Sequence, residues 1–419
     1  MKFSAQIFRW LATGGVFLAT LLTPPARAGA PQTAPDSPTD REVIGQLLKR
    51  VEALEARLKE LEAERAKTPI APAAPAEAAG ATAQSHPGEP EMEPSALGPG
   101  LNIRGYTDIT LHGGNEKGTA TSFSLGQMNL FVTSDLSERF KFLSEIVFEA
   151  GDDNAFGVDV ERLLLQYSPS DYFNFAVGRY HTAIGYYNTA YHHSTWFQTA
   201  LGRPFLFEFE DEGGILPIHN VGVSVSGRIP SGSLGLHYVA EFGSGRASRS
   251  PLDEAVQNVV DENNHKAWNL AFFARPDAVR GLQAGFSVYR DLLTPAGQAK
   301  IDETILAAHA VYTVPSFEWL NEAMVIRHAP AGLRVLHTPG FYTQVSRRFG
   351  RYRPYFRYQY VNAPESEPIF ADVGVRHGPS AGLRFDPSET VAFKLQYDHT
   401  LLRRSPALDA VSLQFAFTF

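Results

Sequence analysis

Between Leu101 and Phe419 the chain is cut by seven short turn-like clusters, at 135–138, 169–171, 230–233, 276–281, 315–316, 349–351 and 386–389. Longer, more polar connections separate them, among them 151–156, 243–264 and 362–377. The runs in between alternate apolar with polar residues, and no convincing helix interrupts them. The final run shows the period cleanly. Val411, Leu413, Phe415, Phe417 and Phe419 fall on one face of a strand and Ser412, Gln414, Ala416 and Thr418 on the other, since successive side chains alternate across a strand. Seven short connections and eight long ones join sixteen strands and leave both ends on the short-turn side. Fourteen or eighteen strands also fit the text, because single alternating runs are weak signals.

Short turns alternating with long loops, with an apolar face outward and a small or polar face inward, is the pattern of a membrane-spanning antiparallel barrel. The alternative is a soluble sandwich whose last strand is amphipathic, which leaves the even strand count and the turn rhythm unexplained. A hydrophobic share of 44% is too low for a helical membrane protein, but a barrel turns every second residue to a water-filled lumen. The 29 Phe and 16 Tyr suit a lipid-facing band with aromatic girdles. Absence of Cys excludes a thiolate metal site, a catalytic Cys and a disulfide framework. A net charge of −8 on 419 residues speaks against nucleic acid as partner.

The first hundred residues read differently. Residues 1–28 look like a secretory signal: Lys2 and Arg9, an apolar stretch from Leu11 to Leu22, then Ala26-Arg27-Ala28 as a cleavage site. Over 40–67, Ile44, Leu47, Val51, Leu54, Leu58 and Leu61 follow 3-4 spacing among charged residues, the seam of a short α-helical coiled coil. A single amphipathic helix packing on its own chain would show the same stripe. Residues 68–100 are Ala, Pro, Gly and Glu, a tether that cannot bury a core. The expected fold is therefore all-β, a transmembrane antiparallel β-barrel of about 16 strands over 101–419, preceded by this coiled coil.

Sixteen strands enclose a lumen too wide for side chains alone to fill. The longest connection, 181–217, is unusually aromatic and is the candidate to fold inward as a constriction. It carries His192, His193, Trp196, Arg203, Glu208, Glu210 and Asp211. The same loop could instead lie over the mouth or at a subunit contact. Polar residues at alternate strand positions are assigned to the pore wall: Arg104, Asp108, Glu145, Glu149, Arg162, Arg228, Arg357, Arg384 and Lys394. A charge facing mid-bilayer lipid would cost about 2–4 kcal/mol, so the lumen is their default. Arg104, Arg162, Arg357, Arg384 and Lys394 together favour anions, against Asp108, Glu145 and Glu149. Adjacent His192 and His193 point opposite ways in an extended chain, so no metal site is expected. No cofactor and no catalytic constellation is expected either, since no Ser–His pair or phosphate loop stands out.

This order of segments, ending in a strand that closes on Phe419, resembles the phosphate-selective porin O/P superfamily of the bacterial outer membrane, and within it the trimeric DcaP-type members with an N-terminal coiled coil. The segment Val177-Gly-Arg-Tyr-His-Thr-Ala-Ile-Gly-Tyr-Tyr-Asn188 is similar to the stretch that leads into their constriction loop. The resemblance implies a homotrimer in the lipid bilayer, a passive diffusion channel for small hydrophilic, dicarboxylate-like solutes, and a terminal Phe read by the insertion machinery. The heptads by themselves lean towards a dimer. Lys is scarce in the barrel, so the phosphate selectivity of the name-giving members is not carried over. The competing expectation is a structural anchor whose coiled coil tethers the barrel to the cell wall.

Overall fold

The computed structural model describes residues 100–419 apart from 152–154, 192–194, 210–212, 248–259 and 371. The signal segment, the coiled coil and nearly all of the tether lie outside the described residues. Sixteen strands follow one another. They are β1 (Leu101–Gly114), β2 (Ser122–Asp135), β3 (Phe140–Ala150), β4 (Phe156–Ser170), β5 (Phe173–His181), β6 (His219–Arg228), β7 (Leu236–Gly243) and β8 (Ala267–Ala274). The second half comprises β9 (Leu282–Leu293), β10 (Ile301–Val314), β11 (Phe317–Pro330), β12 (Leu336–Arg347), β13 (Tyr352–Asn362), β14 (Val375–Phe385), β15 (Val391–Leu402) and β16 (Ser405–Thr418). Each pairs antiparallel with its sequence neighbours, and β1 pairs with β16, so the sheet is a closed barrel without edges. Closure satisfies the backbone groups that an open edge would leave bare.

All seven short clusters are hairpins at one end of the barrel, the end that also holds Gly100 and Phe419. The other end is uneven. It carries the long loop 182–218, yet β11 and β12 are joined through 331–335 alone, and β15 and β16 through Arg403 and Arg404. The expectation of eight long connections therefore holds for only part of that end. Arg404 takes φ 55° to make so tight a return.

The alternation is as the sequence suggests. On β16, Ser412, Gln414 and Ala416 are buried, whereas Val411 and Phe417 are exposed. Outward on other strands stand Phe123, Leu125, Phe286, Leu306, Phe341, Phe356 and Leu395, all exposed apolar side chains. Near the hairpin end they become an aromatic ladder. Tyr352, Phe385, Phe393 and Phe415 are register partners on successive strands, with ring centroids 4.9, 6.2 and 5.1 Å apart. Such cross-strand aromatic pairs contribute roughly 0.2–1 kcal/mol each and sit where a membrane interface would be.

Two places need glycine. Gly178 on β5 has φ 133°, and a Cβ there would stand 1.8 Å from the Leu163 carbonyl oxygen of β4. Gly105 lets the Phe419 ring lie over it, while the two residues exchange backbone hydrogen bonds of 2.8 and 2.9 Å that complete the β1–β16 seam.

Candidate functional site: a loop folded into the barrel

The loop 182–218 leaves β5 and returns as β6 through a closed neck. The Thr182 amide donates to the Ile218 carbonyl at 2.9 Å, and Asn188, fully buried, donates its amide to Thr182 and Ile218 carbonyls at 2.9 and 3.0 Å. A single helical turn, α1 (Tyr187–Ala190), follows the neck. From there the loop meets inward-facing residues of strands from β7 round to β1, so it lies within the barrel rather than over its mouth.

Its first stretch offers N–H groups to carboxylates. Ala183 donates to both oxygens of Glu241 on β7, at 3.1 and 3.0 Å, and Glu241 also takes a 2.8 Å bond from Asn269. Tyr186 and Tyr187 amides donate to Glu322 on β11, which accepts the Tyr342 hydroxyl at 2.7 Å as well. Glu318, four residues earlier, accepts the Tyr191 hydroxyl at 2.9 Å and Thr199 at 3.2 Å. The next stretch does the opposite and offers carbonyls to cations. Arg357 on β13 donates to Gly202 and Leu201 carbonyls at 2.9 and 3.2 Å. Arg384 on β14 donates to Trp196 and Gln198 carbonyls at 2.7 and 3.0 Å, and Lys394 on β15 reaches the Thr195 and Ala200 carbonyls. Gln396 both donates to and accepts from Leu201. The wall charges are thus matched to the polarity of the backbone they face, and charge-assisted bonds of this kind are about twice as strong as neutral ones.

Apolar packing completes the hold. Ile184, Tyr187, Leu206, Phe207, Phe209, Ile215, Leu216 and Ile218 of the loop pack with Tyr289, Ile301, Ile305, Leu320, Met324, Ile326 and Tyr342 of β9 to β12 in one buried cluster. The lumen is consequently divided. Inner side chains of β9 to β13 are buried beneath the loop, whereas Gln127, Gln166, Ser224 and Ser226 on β2, β4 and β6 keep solvent contact. A cavity of about 610 Å³ lies between the β5–β10 wall and loop residues 183–190, lined among others by His181, Arg228, His237, Glu241, Arg275 and His309. Another of about 480 Å³ lies beside Arg104, Tyr106, Phe131, Glu145 and Phe197.

The residues singled out in the sequence fall into several settings. Arg357, Arg384 and Lys394 are 2%, 8% and 0% exposed, so they face the loop and not open water. Their charges meet the carbonyls of the loop. Asp108 is buried too, held by Thr110 at 3.1 Å and Gln414 at 3.0 Å. Glu145 pairs with Arg162 at 2.6 Å, Arg162 lies over the Phe131 ring, and Gln127 donates to Glu149. Arg104 is exposed at the hairpin end. Arg228 is more than half exposed there as well, 3.9 Å from Asp171.

In the loop, Trp196 and Phe197 pack on Tyr106 of β1, with centroids 6.4 and 5.0 Å away. Arg203 is buried with its guanidinium 4.2 Å above the Phe209 ring, close to Tyr187 and bonded to Asn188 at 3.3 Å. Glu208 pairs with Arg376, yet burial still pushes its carboxyl above the ordinary value. Asp386 behaves oppositely: burial would raise it, but Arg384 and Arg348, at 2.7 and 2.9 Å, hold it below the ordinary value. His192, His193, Glu210 and Asp211 lie outside the described residues. Sequence reasoning missed Glu318 and Glu322, because their strand offers apolar side chains on both faces.

No family model matches the chain, and no curated protein matches it in sequence. Solved structures do match in shape. An anion-selective porin from Comamonas acidovorans aligns with TM-score 0.55 at 12% identity, covering 77% of this chain and 100% of its own. The outer membrane channel DcaP of Acinetobacter baumannii aligns with TM-score 0.53 at 11% identity, covering 78% and 99%. Salmonella typhi OmpF, solved with daunomycin, aligns with TM-score 0.52 at 11% identity, covering 76% and 97%. The fold is that of a sixteen-stranded porin barrel.

Proposed function

We propose that the chain is a bacterial outer-membrane porin, a passive diffusion channel for small hydrophilic solutes in which loop 182–218 is the constriction. One observation carries the reading: a loop held inside a closed barrel by acids on its N–H side and cations on its carbonyl side, with apolar side chains turned outward. A wall charge has little reason to be matched to a loop unless the loop's position matters. The solute path then runs along the β1–β6 side, where Gln127, Gln166, Ser224 and Ser226 keep solvent contact. Arg228 and Arg275 line the larger cavity and Arg104 the smaller one, and on these cations the proposed preference for anions rests. A homotrimer is the proposed assembly, in keeping with an OmpT trimer of Vibrio cholerae that shares the fold at TM-score 0.53. The likeness to the DcaP-type members in its segment 177–188 points the same way. Planar-bilayer recordings test the proposal. Discrete steps with a reversal potential displaced towards that of the anion under a salt gradient are expected. A silent bilayer would leave the anchor reading in its place, and a cation-directed shift would remove the anion preference.

A further inference from the structure

Charges with an assigned partner inside the barrel contrast with one group outside it. Along the loop-side edge of the outer surface, register pairing aligns Trp268 of β8, Arg290 of β9, Thr304 of β10, Arg327 of β11 and His337 of β12 in one lateral row. Each lies at an outward position, between buried inward neighbours such as Tyr289, Glu303 and His328. Among the described residues neither the Arg290 nor the Arg327 guanidinium has an ion-pair or hydrogen-bond partner. The one acid on the same outer face nearby, Asp302, stands two residues further towards the loops and reaches neither.

The depth of the row decides what it meets. On β11, Trp319 near the hairpin edge and Arg327 are eight residues apart on the same outward face. At about 3.3 Å per residue and a tilt of about 40°, that is roughly 20 Å along the membrane normal. Phe286, Leu306, Val325 and Phe341 fill the interval with apolar side chains. The row therefore stands at the border of an apolar band about 25 Å tall, where headgroups begin and an outward Arg is tolerated. Arg290 and Arg327 are two strands apart, so their backbones are about 10 Å from each other, with the Thr304 hydroxyl between them. Long guanidinium arms can close that gap on phosphate oxygens, which they recognise in bidentate fashion.

We infer that this row is a binding site for the phosphate-bearing headgroup of an outer-leaflet lipid. It rests on the porin reading only in requiring the barrel to lie in a membrane with its loop edge outward. Acyl chains would lie along Phe286, Leu306 and Phe341, the phosphate between Arg290 and Arg327, and the Trp268 ring at the flank. Such a site fixes one lipid on the β8–β12 face.

The test uses the folded full-length protein in detergent and native mass spectrometry. The probes are a purified diphosphorylated glucosamine-disaccharide glycolipid, its dephosphorylated form, and inorganic phosphate alone. Wild type is expected to retain the phosphorylated lipid roughly 30-fold better than the dephosphorylated one, about five- to sixfold from each arginine. R290Q/R327Q should lose that preference, R290K/R327K should keep part of it, and R347Q, a charge removed at the hairpin edge, should keep all of it. Should the double variant fold poorly, R327Q alone is expected to lose about fivefold. Equal retention of the two lipids by wild type overturns the inference. So does an undiminished preference in the glutamine variants, or inorganic phosphate competing as well as the lipid. Dissociation of the oligomer by R327Q would also overturn it, by placing the row at a subunit contact. Conductance of the same preparations separates this result from the porin reading: a silent wild type refutes the channel and leaves the lipid comparison to stand by itself.

Discussion

Replacing Arg357 by Ala should free the middle of the loop without breaking the barrel. Its guanidinium is almost wholly buried and donates to the carbonyls of Gly202 and Leu201 at 2.9 and 3.2 Å. A hydrogen bond from a charged group contributes about 1.5–3 kcal/mol net, and two from one donor are not fully additive, so a loss of about 2–4 kcal/mol is expected. Suppose the segment 196–203 opens locally at a cost of about 5 kcal/mol, within the usual range for a packed loop. It is then displaced about 0.02% of the time, and after the substitution roughly 1–15%. Excursions of that frequency are visible in single-channel records as noise on the open level, with added cleavage of the loop by a broad-specificity protease. Arg357→Lys, reaching one carbonyl at a time, should fall between. The reasoning fails if Arg357→Ala, still heat-modifiable on a gel, gives records as quiet as wild type and a loop cleaved no faster.

Other outcomes follow from neighbouring contacts. Glu322→Ala strands the amides of Tyr186 and Tyr187 and the Tyr342 hydroxyl; at about 1–3 kcal/mol for each unsatisfied group, protease nicking near α1 should rise well above wild type. Gly178→Ala drives a Cβ against the Leu163 carbonyl and should cost more than about 1 kcal/mol, seen as a lower midpoint in urea refolding. Asp386, held below the ordinary carboxylate value, keeps its pairs with Arg384 and Arg348 at every pH above the unfolded value of about 3.9 and loses them only as pH falls through its lower folded value. Channel noise from this contact should therefore be absent between pH 7 and 4.5 and appear in more acid solution; Asp386→Asn should produce it at pH 7.

The barrel was legible in the sequence because one face of its strands is kept apolar. Where that face is apolar and its neighbours polar, as at Val411 to Thr418, the strand reads directly, and all seven hairpins were visible as turn clusters. The inner face obeys a different rule on each side. On β2 and β4 it lies away from the loop and is polar, and Gln127, Arg162 and Gln166 stand out. On β10 and β11 it meets the loop, so Ile305, Val311, Leu320, Met324 and Ile326 point inward and blur the period. Glu318 and Glu322 were hidden in that blur. The aromatic content of 181–217 was a sound signal for burial. What its neighbours' charges would do was not, since a cation facing a lumen looks the same in one dimension whether it meets solute or carbonyl.

The seam between β1 and β16 also sets an order of events in assembly. Fifteen pairings join sequence neighbours and can zip as the chain is delivered, but the Thr418 hydroxyl meets the Gly105 carbonyl across 313 positions. Until the final strand arrives the sheet is a curled ribbon with two bare margins, open to pairing with other strands. The loop bridges from Tyr106 on β1 to Glu241 on β7, so its contacts tie together two sides of the sheet as well as the loop itself. The acids and cations that fasten it therefore serve the closed sheet as well as the loop.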